Sequence, residues 1–497
     1  MNQAGSGEIY SGLRLEYTNG YQSQRQCLEE CHQNAMAVIE FCAHHERFNQ
    51  LTMNQQTLHR REWLGATGAL SLAACGMSVP TSGVEIKRPR IAAVITEFTY
   101  RSHAHVILEN FLEPYYFNGK LTESGIDVVA LYVDQFPAGR DMARDVAKQY
   151  KIPIFPTIAE ALCLGGKGLA VDGVLSIGEH GNYPLTDRGA TKYPRKRFFD
   201  EIVAVFRHSD RVVPLFNDKH LSYRWDWAKE MVQVAGELEI PFMAGSSVPL
   251  AQRRPSLELP EEAVIEEAIS IHSGPPEVYD FHGLEVLQSM VEARRGGEVG
   301  ISEIQLLEGD AVWKAAAEGR WSYSLAAAAM QAQAGKDVDR LEDFVEPADG
   351  KRHPVHAILI KYRDGLRATV LRIGNVSTRW CFACRLAGKP EPLATSFYVG
   401  PWENRNLFKA LSHAIQSHIR EKQAPYPVER TLLVTGMLAA AMESRFEGHK
   451  LVPTPHLNVA YQPRDFRALR EMGESWKIIT EDMPQPTGIN PGGPRPR

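Results

Sequence analysis

From residue 91 to residue 245, short apolar runs alternate with stretches in which apolar positions recur every three or four residues. The runs at 91–96, 127–134, 152–154, 172–178, 212–216 and 241–245 have the length and continuous hydrophobicity of strands buried on both faces. Between them, 103–113, 143–150, 158–165, 196–206 and 224–238 carry helical spacing, with Thr157 placed to cap the third. Strand and helix in alternation predict an α/β domain over 88–250, built on a doubly wound parallel sheet.

The pattern changes after 250. A strand at 264–272 leads into an amphipathic helix at 281–294, closed by Gly296-Gly297. A short strand at 304–307 and an alanine-rich helix over 311–332 follow, then a polar loop at 336–352. Four closely spaced strands, 355–362, 367–374, 379–386 and 394–399, predict an open, mainly antiparallel sheet, and helices at 403–420 and 428–446 return toward the body. Residues 251–462 thus read as an α+β domain, and the Pro- and Gly-rich 463–497 as a disordered tail.

Composition narrows the function classes. The net charge of −5 over 497 residues argues against a nucleic-acid surface, so no nucleic-acid partner is expected. Beyond Cys75 only Cys163, Cys381 and Cys384 remain, which excludes a disulfide scaffold. Cys381 and Cys384 stand three apart in a strand-like run and should face opposite sides, which disfavours a metal or redox pair.

The N-terminal region carries an address. His59-Arg60-Arg61-Glu62-Trp63-Leu64-Gly65 precedes an apolar run ending Ser71-Leu72-Ala73-Ala74-Cys75-Gly76. It reads as a twin-arginine export signal over 53–75 with a lipoprotein-type cleavage site, and the run is too short to span a ~30 Å hydrocarbon core. The expected location is the cell envelope or periplasm, with Cys75 as candidate lipid anchor; the alternative is a buried helix after a chance arginine pair. Met53 stands seven residues before Arg60, so 1–52 reads as an upstream extension. Its Cys27, Cys31, Cys42, His32, His44 and His45 have metal-compatible spacings but lack turn residues for a small metal domain.

Several local matches carry a resemblance. The second strand ends on Asp134, followed by Arg144-Asp-Val-Ala147, Lys151-Ile-Pro-Ile154, Pro156-Thr-Ile-Ala-Glu-Ala-Leu162 and Val171-Asp-Gly-Val-Leu-Ser-Ile177. Further on come Asp218-Lys219-His220 and His282-Gly-Leu-Glu285, and a closing helix from Arg430 to Ser444 with Pro453 beyond. This order resembles the glucose–fructose oxidoreductase / inositol dehydrogenase / MocA family. The resemblance implies a Rossmann-like domain, NAD or NADP as cofactor, a small sugar or polyol as substrate, and a homo-oligomer formed through the C-terminal sheet. It also implies a dinucleotide held near Thr96, Arg101, Asp134, Glu179 and His180. The chain departs from the family at Thr96-Glu97-Phe98-Thr99-Tyr100-Arg101, where three glycines should let backbone approach a pyrophosphate. Arg101 or Arg140 can pair with a phosphate in an altered mode; otherwise the pyrophosphate site is lost or filled.

Three polar clusters directly follow apolar runs: 178–183, 217–220 and 245–247. Ligands in such sheets sit beyond the carboxyl ends of the strands, so these clusters predict a polar cleft. For oxidation of a sugar carbon, His282 near a helix start would act as base and Lys219 would stabilise the oxyanion. Glu285, one turn on, would orient or charge His282, and Asp218 completes the candidate set; otherwise Lys219 is held in a salt bridge with Asp218 or another rim acid. Glu285, Gln288 and Glu292 form one helical stripe, read equally as a wet face. A rival reading uses Glu179, His180, Asp218, His220 and His282 for a metal, or for a hydrolase or lyase without nicotinamide. A catalytically inactive carbohydrate-binding protein would use Trp225, Trp227, Trp313 and Trp321 as stacking platforms, unless these pack in the core.

Overall fold

The structure, a computed structural model, describes residues 87–345 and 353–489. The expected extension, the export signal with Cys75, and part of the polar loop lie outside the described residues. The first part contains β1 (Arg90–Ile95), α1 (His103–Leu112), β2 (Tyr115–Phe117), β3 (Lys120–Thr122), β4 (Asp127–Val133), α2 (Ala143–Tyr150), β5 (Ile154–Phe155), α3 (Ile158–Cys163) and β6 (Gly173–Ile177). It continues with α4 (Arg195–His208), β7 (Leu215–Asp218), α5 (Trp225–Glu237) and β8 (Phe242–Gly245). As expected, Thr157 accepts a bond from the Glu160 amide at the start of α3.

The first sheet is parallel throughout, in the order β5-β4-β1-β6-β7-β8. Setting aside the small β2–β3 hairpin, this is a doubly wound Rossmann-like order, and it reverses between β1 and β6, where ligand crevices form. Val146 of α2 and Val106 of α1 pack on one face. Leu162 of α3, Ile202 of α4 and Met231 of α5 pack on the other.

The second part adds β9 (Gln252–Arg254), β10 (Ile265–His272), α6 (Asp280–Val291), β11 (Ile301–Glu308), α7 (Asp310–Ala317), α8 (Tyr323–Ala334), β12 (His356–Tyr362), β13 (Arg367–Arg372), β14 (Trp380–Leu386) and β15 (Leu393–Tyr398). The last elements are α9 (Asn404–Glu421), α10 (Val428–Phe446) and β16 (Val452–Pro453). The sheet order is β16-β11-β12-β13-β10-β14-β15-β9, antiparallel except where β10 pairs with β13. Helix α9 crosses back to the first sheet, where Phe408, Leu411 and Ile415 join the core beside α1. It carries Glu403 and Asn404 to the rim of the first domain.

Four expectations are corrected. The alanine-rich stretch is two helices, broken at 318–322 where Gly319 takes a positive φ. Residues 463–489 are not a disordered tail: Phe466, Arg470, Ile479 and Ile489 are buried, and Asn118 bonds the Arg470 carbonyl at 2.9 Å. Composition suggested disorder, but these widely spaced anchors supply the burial that orders a segment. The sheet face expected to meet a second subunit is covered by α7 and α8, with Trp321 and Met330 packed on Ile269 and Leu371. The stripe Glu285, Gln288, Glu292 is buried. Glu292 there pairs with Arg430 of α10 and accepts from Tyr461 at 2.9 Å. Cys381 and Cys384 do face opposite sides of β14, in different cores.

Candidate active site

The ends of β1, β6, β7 and β8 and the start of α6 enclose a cleft of about 280 Å³. Its wall toward β7 is Lys219, which is buried and holds a strained positive φ. Lys219 Nζ donates to Glu179 Oε1 at 3.0 Å and to the Val278 carbonyl at 3.2 Å. An ammonium has three N–H groups, and the third has no partner among the described residues. Glu179 also receives Arg195, and Gly178 makes that possible: a Cβ there would stand 2.7 Å from Arg195 Cγ. Burial alone would raise the Glu179 carboxyl, but Lys219 and then Arg195 hold it well below its ordinary range. Glu179 is therefore an anion clamped between two cations.

His282 lines the same cleft, and its Nδ1 lies 2.6 Å from Ser246 Oγ. Burial, and secondarily Lys219, push its pKa well down, so it enters the cleft as neutral imidazole. Burial, and not the helix start, is the main cause of the depression. Glu285 is corrected in role: it accepts from Thr431 at 2.8 Å, while Ser246 is the partner of His282. Lys219 is salt-bridged to a rim acid, and that acid is Glu179; Asp218 Oδ2 instead accepts from His103 Nδ1 at 2.6 Å.

His103, Tyr279 and Trp380 escaped the sequence reading. His103 follows the capping Ser102 of α1 and packs against Phe408 and His180. Tyr279 and Trp380 stack face to face at 5.3 Å and line the cleft. Trp380 opens β14, far along the chain, where no local pattern marks it. Of the tryptophans expected as platforms, Trp321 is core, its indole donating to the Val312 carbonyl.

The turn after β1 does not fit a dinucleotide. Phe98, where a glycine was needed, is fully buried in the core. The Thr99 amide donates to Ser102 Oγ, the Ser102 amide to the Thr99 carbonyl and the Arg101 amide to His105 Nδ1. Arg101 pairs with Glu403 at 2.6 Å, and Asn404 bonds its carbonyl, so the start of α9 sits over the turn. Thr96 Oγ1 bonds the Glu179 carbonyl. Asp134 accepts from Tyr132 at 2.7 Å, Tyr183 at 2.6 Å and Arg197 at 2.5 Å. His180 turns toward His103, and burial with that neighbour lowers it to about 4. The groups expected to cradle a diphosphate and ribose are engaged with partners inside the protein.

The residues of the rival metal reading do not converge either. Glu179 holds Lys219 and Arg195, Asp218 holds His103, and His220 accepts from Arg195 Nη1 at 2.9 Å. Among the described residues the group with metal-ligand chemistry is His272, Asp280 and His356. There Asp280 Oδ1 accepts from His272 Nε2 at 2.8 Å and His356 Nε2 at 2.6 Å, a hydrogen-bonded brace that fixes the start of α6.

Many buried histidines give the fold a pH dependence. Burial lowers His105 to about 3 and His413 to about 4, and pushes His220 and His282 well down. Unfolded histidines take up protons below about pH 6.5, so the unfolding free energy should fall as pH drops from there toward about 4. Glu277 and Glu285, raised by burial to about 7, work in the opposite sense over part of this range but are fewer. Urea midpoints at about pH 7.5 and about pH 5 test it; equal midpoints would contradict it.

No family model matches the sequence, and no curated protein matches it. Among solved structures the chain is similar to myo-inositol dehydrogenase from Lactobacillus casei in complex with NAD(H) and myo-inositol, at 13% identity and TM-score 0.48, over 76% of this chain and 99% of that one. It is also similar to GenD2 from gentamicin A biosynthesis in complex with NAD, at 12% identity and TM-score 0.46, over 78% and 99%. A third is an oxidoreductase from Agrobacterium radiobacter in complex with NAD+, L-tartaric acid and magnesium, at 11% identity and TM-score 0.45, over 74% and 98%.

Proposed function

We propose that this chain holds a small sugar or polyol in the Lys219–His282 cleft and moves its protons there without a nicotinamide. The observation that carries the reading is the unmatched N–H of buried Lys219, facing the cleft that the neutral imidazole of His282 also lines. Lys219 would donate to a substrate oxygen as negative charge develops on it, and His282, steadied by Ser246, would accept the proton that leaves. Tyr279 and Trp380 add apolar contact at the edge of the cleft. At about 280 Å³ the cleft is at the small end of ligand sites, which run to roughly 300–1,000 Å³, and suits a monosaccharide better than a dinucleotide.

Lys219→Met should abolish proton exchange or turnover on a responsive sugar while circular dichroism stays native. Full activity in that variant would refute the role. A second reading, NAD(P)-dependent oxidation of a CH–OH group, is favoured by the strand order of the parallel sheet. We further propose export through the twin-arginine route, with Cys75 lipidated. Replacing Arg60 and Arg61 by lysines should keep the chain in the cytoplasm, and unchanged export would contradict this.

A further inference from the structure

A second cavity, of about 270 Å³, shares no lining residue with the cleft. The two adjoin at two peptide bonds: Lys219 and Val278 line the cleft, while His220 and Glu277 line the second cavity. Its floor is apolar, with Trp225, Leu438, Ala439 and Met442, and its charged lining pairs off as Arg188 with Glu443 and Arg224 with Asp226. Glu277 differs from these. It is 4% exposed, takes a strained positive φ, and its carboxyl has no hydrogen-bond donor among the described residues. His220 Nε2 stands 3.7 Å from its Oε1 and already accepts from Arg195. A buried carboxyl without a donor costs about 1–3 kcal/mol or more unless something in the cavity satisfies it.

The charges around it select what that something is. When Glu277 is ionised, it and Glu179 balance Lys219 and Arg195, while burial and Arg195 keep His220 neutral. A cationic or anionic ligand would leave this buried set with uncompensated charge. A neutral hydroxyl would not. From this geometry we infer that the second cavity is a binding site for a neutral hydroxylated small molecule, with Glu277 bonding a ligand hydroxyl and Trp225 lying against its carbon face. Burial lifts the Glu277 carboxyl to about 7, so near neutral pH it can accept from such a hydroxyl or donate to it.

The site does not depend on what the cleft does, and the test separates them. Saturation-transfer NMR on the intact protein, with D-glucose as probe and tetramethylammonium as cationic control, should show transfer to glucose alone. Glucose binding should survive Lys219→Met; read in that background, where the cleft has lost its ammonium, it should disappear on adding Ala439→Trp, which fills the cavity, and weaken about tenfold or more on adding Glu277→Met. Circular dichroism and a urea midpoint establish that Glu277→Met is folded before its binding is read. No transfer to glucose, a preference for the cation, loss in Lys219→Met, or retention in the Lys219→Met, Ala439→Trp double variant would each overturn the assignment.

Discussion

Phe98→Ala should destabilise the protein by about 3–5 kcal/mol, the range for emptying a buried aromatic site in a packed core. Phe98 is 0% exposed and packs in the cluster that also holds Ile95, Val106, Phe408 and Leu411. The turn that carries it is the one that, with glycines, would let a diphosphate approach. If Phe98 were a plug that swings out for a ligand, its removal would cost little. As a core residue it fixes α1 and α9 against the sheet. Chemical denaturation of the variant measures the difference, and a loss below about 1 kcal/mol would contradict the packing account.

Arg430→Ala should cost a similar amount by a different route. Arg430 is fully buried on α10, donates from Nε to Glu292 Oε2 at 2.8 Å, and makes a second bond to Oε1. Its guanidinium lies 4.2 Å from the Tyr426 ring centroid and 4.6 Å from that of Phe466. Truncation leaves Glu292 buried and unpaired, a change worth about 3–5 kcal/mol. The double variant Arg430→Met with Glu292→Leu should recover most of that loss, because no uncompensated charge remains. A double variant as unstable as Arg430→Ala would show that the ring contacts, and not the ion pair, hold α10 to α6.

The parallel sheet was legible because each strand is a continuous apolar run and each helix repeats its own spacing. Ile91–Thr96 and Asp172–Gly178 needed no tertiary knowledge to recognise. The second sheet was legible strand by strand but not in its order: β10 lies between β13 and β14, a pairing that no local pattern encodes. The cleft was half legible. Lys219 and Glu179 stood where strands end, so the strand-end rule found them; His282, on α6, came from the family resemblance. Their partners did not follow from spacing. Glu285 is one helical turn from His282, yet Ser246, from the end of β8, reaches it first. Asp218 adjoins Lys219 in sequence, but successive strand residues point to opposite faces, and its neighbour in space is His103. The tail was misread because proline and glycine content says nothing about a few buried anchors. The polar stripe of α6 was misread because a partner helix, α10, supplied the one arginine that makes burial tolerable.

The most direct test of the central claim, a sugar cleft without a nicotinamide, is nucleotide content. Protein folded with its native signal in an export-competent host would be purified, denatured, and assayed for released nucleotide by absorbance and mass. The self-bonded turn from Thr96 to Ser102 and the occupied Asp134 predict none, and no uptake of added NAD or NADP. Stoichiometric NAD or NADP would show that this turn opens to a diphosphate, and it would return hydride transfer to the front.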